Sequence, residues 1–158
     1  NHEYVSRIYG GNDITSLGAA GGWIASPSAL LRLVTAIDGF NTKPDFLNPE
    51  SIEIMTAGGQ SGQDLFGWKG ADGYGTWWRT GTLTGMSVLV ARQKNGENWI
   101  IAMNSTTVKK SHIHRESYRM MTGALASVKK WPEYDLFNNL PGSLETLDLK
   151  LQAVHQLP

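Results

Sequence analysis

Apolar residues recur at helical spacing in three segments of the chain. The first follows Ser26 and Pro27, which suit an N-cap and a first helical position. Its apolar positions are Leu30, Leu31, Val34 and Ile37. The second segment is short and begins at Asn48-Pro49, and the third runs from Glu116 to Lys130. Residues 1–20 are polar and rich in glycine, which predicts loop and extended chain before the first helix.

Between the second and third helical segments the pattern changes to short apolar runs, which predict strands. The four runs are residues 65–68, 74–81, 86–92 and 99–103. Asn95-Gly96 separates the last two runs and is typical of a type I′ hairpin turn, so we predict a four-stranded antiparallel meander. Near the C-terminus Leu147, Leu149 and Leu151 alternate with polar residues, which favours a further edge strand. Helices packed on such a sheet make the predicted fold class α+β.

The composition is that of a chain able to fold around a core. Of 158 residues, 41% are hydrophobic, and 14 basic side chains balance 14 acidic ones. Because the formal net charge is zero, no long-range field attracts nucleic acid or an anionic membrane surface, and we expect neither as a partner. The absence of cysteine excludes disulfides, thiol nucleophiles and thiolate metal sites. No apolar run reaches the ~18–20 residues of a membrane-spanning helix.

The segment with the most chemical content is Arg79-Thr80-Gly81-Thr82, near the end of the second predicted strand. An edge strand offers unpaired backbone groups to a ligand. Arg79 suits a substrate carboxylate, Thr80 adds a hydrogen bond, and Gly81 leaves room for a ligand against the backbone. The backbone N–H of Thr82 suits a developing oxyanion. We therefore predict that all four residues bind substrate, with Thr82 as the oxyanion donor.

This segment resembles the Lys/His/Arg-Thr/Ser-Gly motif of serine β-lactamases, penicillin-binding proteins and related esterases. Gly18 to Ser26, followed by Leu30-Leu31-Arg32-Leu33, is similar to the family's SAGGLxST…DLxRF segment. Leu65-Phe66-Gly67-Trp68 is similar to its YGLGW strand. Residues 100–104 resemble its VVVLTN strand, and the helix from Glu116 to Lys130 resembles its terminal helix. The resemblance covers roughly residues 15–130 and is closest to class C β-lactamases and esterases.

The resemblance implies a serine hydrolase that acylates a serine with an amide or ester and then hydrolyses the acyl-enzyme. It implies that Arg79 and Thr80 hold a carboxylate or carbonyl of the substrate. The substrate classes it leaves open are β-lactams, D-Ala-D-Ala peptides, esters and short amide oligomers. No metal or organic cofactor is implied, and the implied location is the periplasm or cell envelope.

The chain departs from the family in lacking its nucleophile. The family places S-x-x-K, and then Tyr-x-Asn or Ser-x-Asn, well before the glycine segment that begins here at Gly18. Neither motif precedes Gly18, and Ser127-Val128-Lys129-Lys130 matches S-x-x-K only at a predicted helix end, after the Arg-Thr-Gly strand. We therefore expect residues 1–131 to be the C-terminal part of such a domain and residues 132–158 to be an extension or linker. Alone, the chain is expected to be inactive, and its expected partner is an N-terminal piece of the same protein or a second copy of itself.

Three plainer interpretations stand beside this one. In the first, the chain is a non-catalytic module that binds a peptide by strand addition or serves as a scaffold. In the second, Arg79 only pairs with a carboxylate on the surface. In the third, His112 and His114 are an ordinary surface pair, since no third metal ligand stands near them in the sequence.

Overall fold

The computed structural model describes residues 4, 13–57, 66–72, 74–105, 112–135 and 137, and its fold class is α+β. The helices are α1 (Gly18–Gly21), α2 (Pro27–Thr35), α3 (Pro49–Thr56) and α4 (Ile113–Ser127). The strands are β1 (Gly70–Ala71), β2 (Trp77–Leu83), β3 (Met86–Arg92) and β4 (Asn98–Met103). None of the described helices has the length and apolar character that crossing a bilayer requires.

The chain divides into two units, Asn1–Ala124 and Leu125–Pro158. The first unit contains α1 to α3, the sheet and most of α4. The second contains the last three residues of α4 and the described residues up to Phe137. The predicted strand at Leu147 to Leu151 lies outside the described residues, and the predicted boundary at residue 131 stays a prediction.

Helices α2 and α3 begin where the local sequence predicts, because each has a capping side chain followed by proline. The backbone N–H of Ala29 donates to Ser26 Oγ at 3.1 Å, and that of Ser51 donates to Asn48 Oδ1 at 2.8 Å. Both prolines occupy the first helical position, where a missing N–H costs no hydrogen bond.

Two segments differ in kind from the predictions, and two elements are shifted along the chain: β2 begins at Trp77 rather than at residue 74, and α4 begins at Ile113 rather than at Glu116. Residues 18–21, predicted as loop or extended chain, form the single turn α1, closed by the N–H of Gly21 donating to the carbonyl of Leu17 at 2.8 Å. The described part of the predicted strand 65–68 is not a strand, because Gly67 has a φ of 79°, which breaks an extended run. The first strand is instead the pair Gly70–Ala71, which lies between the first two predicted strands.

The sheet is antiparallel with the order β1-β2-β3-β4, which confirms the predicted four-stranded meander. The turn between β3 and β4 is not the predicted type I′ turn, which requires positive φ at both Asn95 and Gly96. Only Gly96 has positive φ, at 95°, and its N–H donates to the carbonyl of Gln93 at 3.1 Å. The N–H of Gln93 donates to the carbonyl of Glu97 at 2.8 Å, so the glycine forms a three-residue loop with a left-handed last position.

Helices lie on both faces of the sheet. On the face toward α2 and α3, here the α2–α3 face, the buried residues are Val34, Ile52, Trp68, Trp77 and Val90. On the opposite face, here the α4 face, the rings of Trp99 and Tyr118 lie 5.4 Å apart. Because side chains alternate along a strand, Trp77 and Trp78 point to opposite faces: Trp77 is core and Trp78 is half-buried.

A buried arginine ties the loop after α2 to the sheet. Arg92 Nε donates to the carbonyl of Asp38 at 2.9 Å, and its guanidinium also donates to the carbonyl of Gly75. The guanidinium carbon lies 3.8 Å from the ring centre of Phe40 and 4.2 Å from that of Trp77. Asp38 is 1% exposed, and its carboxylate accepts the N–H of Phe40 at 2.8 Å. These contacts join residues 54 positions apart in the sequence.

Candidate functional site: the open end of strand β2

Strand β2 is paired on both sides only over its first two residues. Trp77 and Trp78 pair with β1, whereas the described part of the chain places no strand beside residues 79–83 on that side. We call residues 77–78 the covered end of β2 and residues 79–83 its open end. All four residues predicted to bind substrate lie in the open end.

The direction of the backbone groups at the open end follows from the pairing of the covered end. The N–H of Lys69 donates to the carbonyl of Trp78 at 2.8 Å, so the polar groups of Trp78 point toward the β1 side. In an antiparallel ladder this direction repeats every second residue. The backbone N–H and C=O groups of Thr80 and Thr82 therefore point to the unpaired edge, which is where a substrate oxyanion would need the Thr82 N–H.

The Arg79 side chain is exposed on the α2–α3 face, opposite Val90 in the register. Among the described residues no carboxylate lies within ion-pair distance of its guanidinium, so the surface pair of the plainer interpretation is not formed there. At Gly81 a Cβ atom would meet nothing within 4 Å, so the space beside this glycine is open. The Arg79 cation and the open space beside Gly81 therefore lie next to each other on the same face of β2.

The side chains of Thr80 and Thr82 lie on the other face, because neighbouring side chains of a strand alternate. The structure therefore does not bring Arg79 and Thr80 to a common face. Both residues contribute to the strand edge, where the backbone groups of Thr80 and Thr82 have no strand partner among the described residues. A ligand that contacts both residues has to lie across that edge.

His114 belongs to this region, although the sequence analysis treats it as half of a surface pair with His112. Its Nε2 lies 2.9 Å from Ser87 Oγ and 3.4 Å from Thr82 Oγ1, and His114 is half-buried while His112 is exposed. The interpretation of a plain surface pair is wrong for His114. A signal is present in the sequence, since His114 precedes Tyr118 by four positions and so shares the apolar side of the helix.

A cleft of 440 Å³ lies on the α4 face between the sheet and the first two turns of α4. Its walls are Asp72, Thr76, Trp78, Thr80, Leu89, His114, Arg115, Tyr118 and Arg119. A neighbouring hollow of 330 Å³ shares four of these residues and adds Lys69, His112 and Ile113. The two spaces adjoin, since both are lined by Thr80, which belongs to the open end of β2.

Charged groups at the cleft are of both signs. Arg115 Nε lies 3.6 Å from one oxygen of Glu116, and Arg119 Nη1 lies 3.7 Å from the other, with all three side chains more than half exposed. Burial raises the pKa of Asp72, but N–H donors from Thr76 and Tyr74 outweigh it and hold the pKa of this carboxyl below its ordinary value. Asp72 is therefore an anion at neutral pH.

Two features elsewhere limit the chemistry of the described residues. Ser127 of the S-x-x-K match is the last residue of α4, not the first residue of a helix. Within the described ranges, no three His, Cys, Asp or Glu side chains are grouped closely enough to hold a metal ion.

Comparisons with known proteins add no relative to this geometry. No protein-family model matches the chain, and neither the curated proteins nor the solved structures gave a significant match.

Proposed function

We propose that the chain is the C-terminal portion of a periplasmic or cell-envelope serine hydrolase of the β-lactamase and penicillin-binding protein type. In this proposal the open end of β2 binds the substrate, with Arg79 at a carboxylate and the Thr82 N–H at the oxyanion. The serine nucleophile comes from outside these 158 residues, in a preceding part of the same polypeptide or in a separate N-terminal piece. The reaction is hydrolysis of an amide, ester or β-lactam through an acyl-enzyme.

The observation that supports the proposal most directly is that the open end of β2 has accessible hydrogen-bond donors and a cation. An arginine without a carboxylate partner among the described residues lies beside open space at Gly81, next to backbone N–H groups that lack a strand partner. A buried or paired arginine would have argued for a structural role. Here the side chain and backbone donors are available to an anionic substrate.

The order of the elements gives weaker support. Two capped helices, an antiparallel sheet and a final helix follow one another in the order that the resemblance implies, although the described part of the segment similar to the YGLGW strand is not a strand. Many α+β proteins share such an order, so the proposal depends on the open end of β2 rather than on the fold.

The backbone groups of Thr80 and Thr82, which no strand in the described part of the chain pairs, also favour a second function. A non-catalytic module would use the same edge to bind an extended peptide by strand addition, with main-chain hydrogen bonds supplying the affinity. The two functions differ in whether a serine is acylated.

The test is acylation of the longest natural polypeptide that contains this sequence. That polypeptide is incubated with a β-lactam or a fluorophosphonate probe and examined by intact-mass spectrometry and peptide mapping. We expect one adduct, on a serine outside the 158 residues, and none on the isolated chain. An adduct on Ser127 would contradict the assignment, and the absence of any adduct would favour the peptide-binding module.

A substitution connects the adduct to the open end. Arg79→Gln in the longer polypeptide is expected to slow acylation by a carboxylate-bearing β-lactam about tenfold to a hundredfold, as for loss of a charged hydrogen bond. Lys130→Gln removes an exposed cation beyond α4 and is expected to leave the rate unchanged. Equal rates for wild type and Arg79→Gln would exclude Arg79 from substrate binding.

A further inference from the structure

We propose that the cleft on the α4 face is a binding site for a small aromatic carboxylate. This inference does not depend on the proposed hydrolase activity, because the cleft lies on the face of the sheet opposite the Arg79 side chain. Its floor and walls come from segments that belong to one unit of the chain: β2, β3, the connection between β1 and β2, and the first two turns of α4.

The size and lining of the cleft suit an aromatic ring. A space of 440 Å³ falls in the range of ligand pockets, which are usually lined by apolar and aromatic side chains with a few polar groups. Trp78 and Tyr118 are both half-buried, so each ring is held by neighbours while part of its surface faces the cleft. Leu89, only 2% exposed, completes the apolar floor. An aromatic ligand gains both apolar burial and ring contacts there.

The position of Trp78 is fixed by its neighbour on β1. A Cβ atom on Gly70 would lie 2.2 Å from Cζ2 of Trp78, so the indole lies directly against the glycine backbone. Any other residue at position 70 would push the ring away. The sheet therefore holds this aromatic wall in place without a ligand, which lowers the entropic cost of binding.

The charges beside the rings favour a carboxylate. Arg115 and Arg119 line the cleft, and Lys69 lines the adjoining hollow. Glu116 pairs with both arginines, but only at 3.6 and 3.7 Å and in solvent, where such pairs contribute little. A ligand carboxylate can compete for these guanidinium groups, and arginine binds carboxylates in a bidentate geometry.

Asp72 and His114 also line the cleft and restrict the ligand. The anionic Asp72, whose Oδ1 accepts the N–H groups of Tyr74 at 2.8 Å and Thr76 at 2.9 Å, repels a second negative charge. His114 Nε2 is engaged by Ser87 Oγ at 2.9 Å. The arrangement therefore suits one carboxylate and one ring, as in 3-phenylpropionate, better than a dianion.

The experiment is a titration of the 158-residue chain with 3-phenylpropionate, followed by two-dimensional NMR of backbone and tryptophan indole N–H groups and by calorimetry. We expect saturable binding, with the largest shifts at the Trp78 indole and in the first two turns of α4. Two matched probes separate the contributions: 3-phenylpropanamide lacks the charge and acetate lacks the ring. Each is expected to bind roughly tenfold to a hundredfold more weakly.

Substitutions locate the site. The double variant Arg115→Gln with Arg119→Gln is expected to weaken 3-phenylpropionate binding about tenfold or more while leaving amide binding unchanged. Lys130→Gln removes an exposed cation that does not line the cleft and is expected to change neither, and NMR spectra of each variant check that it remains folded. No saturable binding at millimolar probe, equal affinity for acid and amide, or shifts centred away from Trp78 would each overturn the proposal.

Discussion

At the two ends of β2, residues of the same kind on β2 and on its neighbouring strands lie in opposite environments. At the covered end, Arg92 of β3 lies opposite Trp77 and is 8% exposed, with its guanidinium over the rings of Phe40 and Trp77 and hydrogen-bonded to two carbonyls. Two positions further along the same face, Arg79 is exposed and has no carboxylate partner among the described residues. The environment rather than the residue type separates a structural arginine from one available to a ligand.

Glycines show the same difference. The space beside Gly70 at the covered end is filled by the Trp78 ring, whereas a Cβ atom added at Gly81 in the open end would have nothing within 4 Å. The first glycine is required by packing. The second is not, so an effect of its substitution on ligand binding would be separable from an effect on folding.

The largest expected effect is that of Arg92→Met. Removing the guanidinium leaves the Asp38 and Gly75 carbonyls without a buried donor and leaves the Asp38 carboxyl without its neighbouring cation, so we expect a loss of about 3 kcal/mol in the free energy of unfolding. Chemical denaturation of the 158-residue chain measures it. The matched variant Arg79→Met should change the free energy of unfolding by no more than about 0.5 kcal/mol. Similar losses for both variants would remove the distinction between the two ends.

A smaller loss is expected for Gly70→Ala. The added methyl overlaps the Trp78 ring, and relief of such overlap by movement of the ring or of β1 costs about 1–3 kcal/mol. Denaturation gives the stability, and near-UV circular dichroism reports the displaced indole. Gly81→Ala is the control and is expected to retain wild-type stability, because its methyl enters open space. A stable Gly70→Ala variant with an unchanged Trp78 signal would contradict the described packing.

The sequence predicts the elements whose causes are local. Ser26-Pro27 and Asn48-Pro49 each combine a capping side-chain oxygen with a proline whose ring fixes a helical φ. Both helix starts can therefore be predicted from adjacent residues. Strand β1 cannot be predicted from adjacent residues. It forms because Gly70 pairs with Trp78, eight positions later, whose ring covers the glycine. The pattern at Asn95-Gly96 predicts the correct place for a turn but the wrong type, because the sequence does not show that Asn95 keeps a negative φ.

For the candidate site, the sequence indicates which residues carry chemistry but not what surrounds them. A short motif singles out Arg79 and Thr82 in the sequence. The pairing of β2, which only the structure shows, determines which face each side chain lies on and where the Thr82 N–H points. Arg92 carries no motif, and its role depends on Asp38, 54 positions away. For His114 the sequence shows the helix face that it shares with Tyr118 but not its partners, because Ser87 and Thr82 lie on strands distant in the sequence.

The smallest expected effects come from two carboxyls near the covered end, which titrate in opposite directions. Burial raises the pKa of Asp38 above its ordinary value of 3.8, against the opposing hydrogen bonds from Phe40 and Asn98. The folded carboxyl then holds its proton more tightly than the unfolded one. Its contribution to stability is therefore full below pH 3.8 and is lost as the pH rises through the raised pKa. Asp38→Asn removes this loss, so its unfolding free energy should decline less than that of wild type above pH 3.8, as urea denaturation across pH measures.

Asp72→Asn is the matched variant because the pKa of Asp72 is lowered in the folded state. Wild type gains stability from Asp72 above pH 3.8 and loses it as the pH falls through the lowered pKa. Asp72→Asn removes this contribution, so the unfolding free energy of the variant should fall less steeply than that of wild type on the acid side of its pH profile. In wild type the Asn98 amide donates to the Asp38 carboxylate, and Asn98 Oδ1 has no hydrogen-bond partner within the described part of the chain. A flip of the Asn98 amide lets this oxygen accept from the amide introduced by Asp38→Asn. If both variants altered the same limb of the profile, Asp38 would be solvated like Asp72, and the buried link between the loop after α2 and the covered end would not exist as described.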